Sequence, residues 1–157
     1  MAGGIAGAAN GSATSGRNTI SGCLNYGDMT VDMERASGIV ATTNHRTDLI
    51  DCINYGNQTN SYNNTRVGMV TSAMAGNSTV TDCENYGNAI MTATQVSGKY
   101  SRVGGLVGIM NSSQVSLTGG GNYGKIVSDC TNGRGLLVAW FSDLKSMSDV
   151  VAGGSMY

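Results

Sequence analysis

Proline is absent from this chain, histidine and tryptophan occur once each, and charged residues make up only 12% of it. Without proline, the turns fall to glycine, present 24 times, and to asparagine, serine and aspartate. Nine basic against ten acidic side chains leave a formal net charge of -1, with no cluster of Lys or Arg visible along the sequence. That argues against nucleic acid as a partner and removes any polybasic membrane signal. Long apolar runs are also missing. Gly135 to Phe141 is among the most apolar stretches, far short of the ~20 residues that a membrane helix needs. A single histidine, His45, leaves no plausible Ser-His-Asp set. No stretch carries a sustained 3.6-residue apolar period, so helices are not expected to dominate. The first residues, Met1 to Gly7, lack the basic region and apolar core of a signal peptide and lie almost directly inside a repeat. The chain therefore reads as a segment of a longer protein.

What is present is repetition. Cys23-Leu24-Asn25-Tyr26-Gly27 recurs as Cys52-Ile53-Asn54-Tyr55-Gly56 and Cys83-Glu84-Asn85-Tyr86-Gly87. A fourth copy, Gly120-Gly121-Asn122-Tyr123-Gly124, has glycine in place of the cysteine, and the tyrosines are 29, 31 and 37 residues apart. A second element precedes each copy: Gly4-Ile5-Ala6-Gly7, Gly38-Ile39-Val40-Ala41, Gly68-Met69-Val70-Thr71 and Gly105-Leu106-Val107-Gly108. Gly135-Leu136-Leu137-Val138 forms a fifth without a tyrosine motif after it. Between the two elements one apolar residue falls three positions before the cysteine site: Ile20, Leu49, Val80 and Leu117. A third, weaker patch follows the tyrosine motif and is polar in the second repeat, Asn57-Gln58-Thr59-Asn60.

About three short strands per ~30-residue unit, separated by turn formers, fit one coil of a right-handed parallel β-solenoid. Four to five coils, at about 3–36, 37–66, 67–103, 104–133 and 134–157, would stack ~4.8 Å apart into a single domain roughly 20 to 25 Å long. Extra residues around Asn10 to Arg17 and Gln95 to Arg102 are expected to form surface loops. Residues 140–157 are either the fifth coil, with Asp149-Val150-Val151 as a strand, or a short helix covering the open end; the fifth coil is preferred. Exposed ends are unpaired strand edges that invite end-to-end self-association unless capped or joined to a neighbouring domain.

Gly104-Gly105-Leu106-Val107-Gly108, followed by Cys-x-Asn-Tyr-Gly sequences such as residues 83–87, resembles the GLUG-motif repeats over roughly residues 3 to 140. Such repeats occur in large secreted or surface-anchored bacterial proteins, including adhesin-like proteins and some peptidases. The resemblance implies a surface-exposed β-helical spacer or adhesive stalk with an extracellular or cell-surface location. No cofactor is expected.

The repeat positions define the candidate residues. Cys23, Cys52 and Cys83 share one position and should stack as buried free thiols; one disulfide or a metal are the alternatives. Cys130 stands outside this ladder. Asn25, Asn54, Asn85 and Asn122 are expected to line a bend as stacked amides. Tyr26, Tyr55, Tyr86 and Tyr123 form an aromatic ladder, read as a corner closure in preference to a sugar-stacking platform. The glycine after each tyrosine suits a positive-φ turn. Asp51 and Asp82, each directly before a ladder cysteine, would lie one coil apart. As a pair they could bind calcium or act as an acid/base dyad, although two solvated turn residues explain them more simply; a groove lined by them and Glu84 together with Lys or Arg would favour an enzyme. Thr19, Thr47, Thr79 and Thr118 are too poorly in register for an ice-binding face. Asn-x-Ser/Thr sequences at Asn10, Asn57, Asn63, Asn77 and Asn111 reflect composition.

The sequence thus points to a non-enzymatic surface module, a stalk or binding scaffold for glycan or protein partners. A polysaccharide-active enzyme, or a binding module attached to one, is the alternative.

Overall fold

The computed structural model describes residues 1–12, 14–93, 98–129 and 133–157; Cys130 and part of the second insertion lie outside the described residues. The described residues form strands and turns with no helix. The first coil contains β1 (Ala2–Gly3), β2 (Ala9–Asn10), β3 (Asn18–Ser21), β4 (Leu24–Asn25) and β5 (Met29–Val31). The second contains β6 (Arg35–Ser37), β7 (Val40–Asn44), β8 (Thr47–Ile50), β9 (Ile53–Asn54) and β10 (Gln58–Asn60). The third contains β11 (Arg66–Gly68), β12 (Thr71–Met74), β13 (Thr79–Thr81), β14 (Glu84–Asn85) and β15 (Ala89–Met91). The fourth contains β16 (Arg102–Gly104), β17 (Val107–Asn111), β18 (Ser116–Thr118), β19 (Gly121–Asn122) and β20 (Lys125–Val127). The fifth contains β21 (Arg134–Gly135), β22 (Val138–Asp143), β23 (Ser146–Ser148), β24 (Val151–Ala152) and β25 (Ser155–Met156).

Each strand pairs in parallel with its counterpart one coil away, giving five sheets of five strands: a parallel β-solenoid. Five short strands per coil replace the three expected. Those of the tyrosine motif are only two residues long, too short to print an apolar alternation on the sequence. Residues 140–157 complete the fifth coil, so the helical cap is excluded. The strand there is β23, with Met147 in register with Leu117, while Asp149 is a turn residue and not part of a strand.

Side chains sort by column. Ile20, Leu49, Val80, Leu117 and Met147 share one register, and Leu49, Val80 and Leu117 are fully buried. They join Ile39, Val70, Leu106, Met74, Met110, Cys52 and Cys83 in the main core. A smaller core beside the first and fifth sheets gathers Val67, Met69, Ala89, Met91, Val103 and Ile126. The inner three coils hold nearly all of this burial because each is covered on both sides. At the last coil Phe141, Met147, Val151 and Met156 remain exposed.

The structure corrects the alignment of the glycine element. Gly68 pairs with Gly104, and Val40, Thr71, Val107 and Val138 share a register. Gly4, Gly38 and Gly105 therefore correspond to Met69 and Leu136, while Gly3, Gly68, Gly104 and Gly135 form the true glycine column. A Cβ at Gly68, Gly104 or Gly135 would sit 1.9 to 2.0 Å from the carbonyl oxygen three residues on. Ser37 occupies this column in the second coil and donates its hydroxyl to the Val70 carbonyl at 2.6 Å.

Candidate functional site

Two arrangements run along the solenoid axis: the ladders of the tyrosine motif, and a groove that the motif does not contain.

The asparagines form a continuous buried ladder. Asn25 Nδ2 donates to Asn54 Oδ1 at 2.7 Å, Asn54 to Asn85 at 2.8 Å and Asn85 to Asn122 at 2.7 Å. Each Nδ2 spends its second proton on the carbonyl two residues ahead, that of Gly27, Gly56, Gly87 or Gly124. An amide with two donors and a two-lone-pair acceptor is satisfied by such a column. A second ladder follows the motif. Asp28 Oδ1 accepts the Asn57 backbone N–H at 2.7 Å, Asn57 Oδ1 accepts that of Asn88 at 3.0 Å, and Asn88 Oδ1 accepts that of Lys125 at 3.0 Å.

The tyrosine rings stack face to face. Centroid separations are 4.9, 5.3 and 4.9 Å from Tyr26 through Tyr55 and Tyr86 to Tyr123, with interplanar angles of 3° to 17°. Stacking takes both faces of Tyr55 and Tyr86, and the outer face of Tyr123 lies against Gly153. A sugar-stacking platform needs a free ring face, and only Tyr26, 68% exposed at the end of the column, offers one. Tyr86 donates its hydroxyl to Glu84 Oε2 at 2.9 Å, which, with a smaller contribution from burial, pushes the phenol up to about 12.

Cys23, Cys52 and Cys83 are free thiols, the last two fully buried. Cys52 Sγ donates to the Ile50 carbonyl at 3.3 Å and Cys83 Sγ to that of Thr81 at 3.4 Å. The hydrogen bond between the Cys83 and Cys52 thiols, followed by burial, pushes the Cys83 thiol up, and the same bond lowers Cys52 to about 6; burial pushes Cys23 up. Cys23 and Cys83 are held protonated and are poor nucleophiles, and Cys52 is fully buried, out of reach of a substrate.

Two turn assignments change. Gly27, Gly56, Gly87 and Gly124 do not adopt positive φ. They are small because the coils approach there: a Cβ on Gly56, Gly87 or Gly124 would lie 1.9 to 2.1 Å from the glycine carbonyl of the preceding coil. The left-handed position is the residue before the cysteine site: Gly22 (φ 61°), Asp51 (51°), Asp82 (51°), Gly119 (65°) and Asp149 (58°). Aspartate and glycine are the residues that tolerate this conformation. Asp51 and Asp82 are therefore exposed corner residues. Among the described residues no group of three His, Cys, Asp or Glu side chains is placed to hold a metal ion. The threonines do not form a ladder either: Thr19 and Thr79 flank Asp48, and Thr118 lies two columns away with Ile50 and Thr81.

Asp48 instead anchors the first insertion. Arg17 donates to it through Nε at 2.5 Å and through Nη2, Thr79 Oγ1 donates at 2.6 Å, and Arg17 reaches the Asn77 carbonyl at 3.1 Å. The Arg17 hydrogen bond, with help from Thr79, holds the Asp48 carboxyl below its usual range.

The groove lies where the first sheet turns into the next. Arg35, Arg66 and Arg102 occupy one register on three successive coils, so residues far apart in sequence become a column of like charges. Beside them a second column contains Thr42, Ala73, Ile109 and Trp140. The two columns, with Asn44 and Asn111 on the far side, line a cavity of about 330 Å³. This is within the size range of small-ligand sites. The cationic cluster that the linear sequence does not show is thus created by coil stacking.

The charges in the groove are unbalanced. Glu34 Oε1 lies 2.7 Å from Arg66 Nη1 and 3.7 Å from Arg35 Nε. Among the described residues no carboxylate pairs with Arg102. Its guanidinium packs over the Trp140 ring, 4.3 Å from the centroid, and its buried Nε has no hydrogen-bond partner. Burial, then the charge of Arg66, lowers the Arg102 pKa. The fifth coil opens the space for this contact because Gly133 stands next to Arg102 where a fourth side chain would lie. Such an arrangement can bind an anion.

No family model matches this chain, and neither does any curated protein or solved structure.

Proposed function

We propose that the chain is a non-enzymatic binding module, a rigid solenoid that presents its arginine-lined groove to a glycan or protein partner. The observation that carries this reading is the column of Arg35, Arg66 and Arg102 facing an open cavity closed at one end by Trp140. Stability of the fold does not require three stacked guanidinium groups, since like charges directly opposite on neighbouring strands destabilise a sheet. The GLUG-like repeats support placing the module in a surface-exposed, adhesin-like bacterial protein.

The test is a panel of polysaccharides and glycoproteins scored for both retention and product release by the purified chain. Retention without product, weakened by substitution of Arg66, is the expected outcome. Release of oligosaccharides would overturn the non-enzymatic reading.

A further inference from the structure

We infer that the groove takes a linear acidic polysaccharide that carries a carboxylate on each sugar. This rests on the reading of the groove as the binding site and adds the chemistry of its ligand.

Three features carry it. The first is periodicity. Arg35, Arg66 and Arg102 repeat once per coil, roughly every 4.8 Å, and together span roughly 10 Å. A uronate chain carries a carboxylate on every sugar, so the charge that the arginine column lacks recurs along the whole length of such a ligand.

The second is an internal stand-in. Glu34 already places a carboxylate oxygen against Arg66 and near Arg35, showing that the column accepts this group. Its side chain is 47% exposed, so an incoming carboxylate can displace it. Planar carboxylates match the guanidinium fork through two parallel hydrogen bonds, which a point charge would not exploit.

The third is the unmet demand at Arg102. Trp140 covers its guanidinium, and its buried Nε lacks a partner. A ring stacked on a guanidinium orients the fork without consuming its donors. Asn44, Asn111 and Thr42 along the remaining walls supply neutral donors and acceptors of the type that hold sugar hydroxyls.

The experiment is isothermal titration of the full chain with sodium polygalacturonate, alongside dextran, λ-carrageenan and poly-L-glutamate. Far-UV circular dichroism and thermal melting of each variant serve as folding controls. Polygalacturonate should bind, and binding should weaken as salt rises. Arg66→Gln and Arg102→Gln should each lose at least about tenfold in affinity, since each removes charge-assisted hydrogen bonds. Glu34→Gln should gain several-fold by freeing Arg66. The opposite signs separate a site from a general folding effect.

Affinity for polygalacturonate unaffected by Arg66→Gln would overturn the inference. Equal or tighter binding of dextran would also overturn it while leaving the glycan-binding reading standing. Preference for λ-carrageenan would move the charge to sulfate and refute the carboxylate. Preference for poly-L-glutamate would identify an acidic protein partner instead. Retention of none of the four polymers, with the glycoprotein panel still positive, would refute the acidic polysaccharide but not the binding module.

Discussion

Gln58 is the misfit of the solenoid interior, and replacing it should stabilise the protein. Its column reads Met29, Gln58, Ala89 and Ile126 on successive coils, with Ala89 and Ile126 in the smaller core. Gln58 is 1% exposed, and neither Nε2 nor Oε1 has a hydrogen-bond partner. An unsatisfied buried polar group costs about 1–3 kcal/mol, and an amide has two such atoms. Gln58→Met keeps the unbranched length of the side chain and matches Met29 next to it. Allowing for imperfect repacking of the thioether, the expected gain is about 2 kcal/mol. For a chain of this size that corresponds to about 4–8 °C in melting temperature. Urea titration should show a higher midpoint at unchanged slope, because the surface exposed on unfolding is the same. A Gln58→Met variant less stable than the parent, with Gln58→Leu agreeing, would mean that the amide is satisfied in the folded protein, and the reasoning would fail.

Three further perturbations test the ladders. Asn54→Ala removes the hydrogen bond from Asn25 and those to Asn85 and Gly56. At roughly 1 kcal/mol each this should cost about 3 kcal/mol in urea unfolding. Gly56→Ala places a Cβ 2.1 Å from the Gly27 carbonyl oxygen, whereas at Gly27 the nearest atom is 3.6 Å away. Gly56→Ala should therefore destabilise by about 4 kcal/mol or more and Gly27→Ala by about 0.5 kcal/mol or less, read from thermal melts. Asp48 has a folded pKa below its unfolded value, so its contribution is complete above that unfolded value and is lost as pH falls through the folded one. Asp48→Asn should lower stability by about 1 kcal/mol at pH 7, since Arg17 is partly solvent-screened, and the difference from the parent should shrink as pH falls below the unfolded-state value of the carboxyl.

The sequence displayed the parts of the fold that repeat conspicuously. Tyr26, Tyr55, Tyr86 and Tyr123 marked the coils, and Ile20, Leu49, Val80 and Leu117 marked an inward column that the strand register reproduces. The glycine element misled because Gly3-Gly4 and Gly104-Gly105 offer two glycines for one place, and Ser37 fills the glycine column in the second coil. The positive-φ residue was misplaced for a related reason. Glycine marks both a left-handed turn and a close approach of two backbones, and only packing separates them. The groove was missed although a signal was present. Arg35-Ala36-Ser37, Arg66-Val67-Gly68 and Arg102-Val103-Gly104 each carry an arginine two residues before the glycine column. Intervals of 31 and 36 residues hide that pattern unless the insertion is first removed.

The two kinds of ladder differ in a way that separates scaffold from site. An asparagine column closes on itself, because every amide is donor and acceptor at once, and Asn25 through Asn122 are satisfied by one another and by the glycine backbone beside them. The tyrosine column does the same with its faces. An arginine column cannot. Guanidinium groups only donate and all have the same sign, so each added coil increases both the repulsion and the number of unmet donors. Glu34 relieves part of this at Arg35 and Arg66, and Trp140 covers Arg102 without neutralising it. In a stacked architecture, identical self-complementary residues hold the coils together, while a column of one charge sign remains incomplete until something of the opposite sign binds. By that criterion the tyrosine motif is the frame, and the arginine groove is the site we propose.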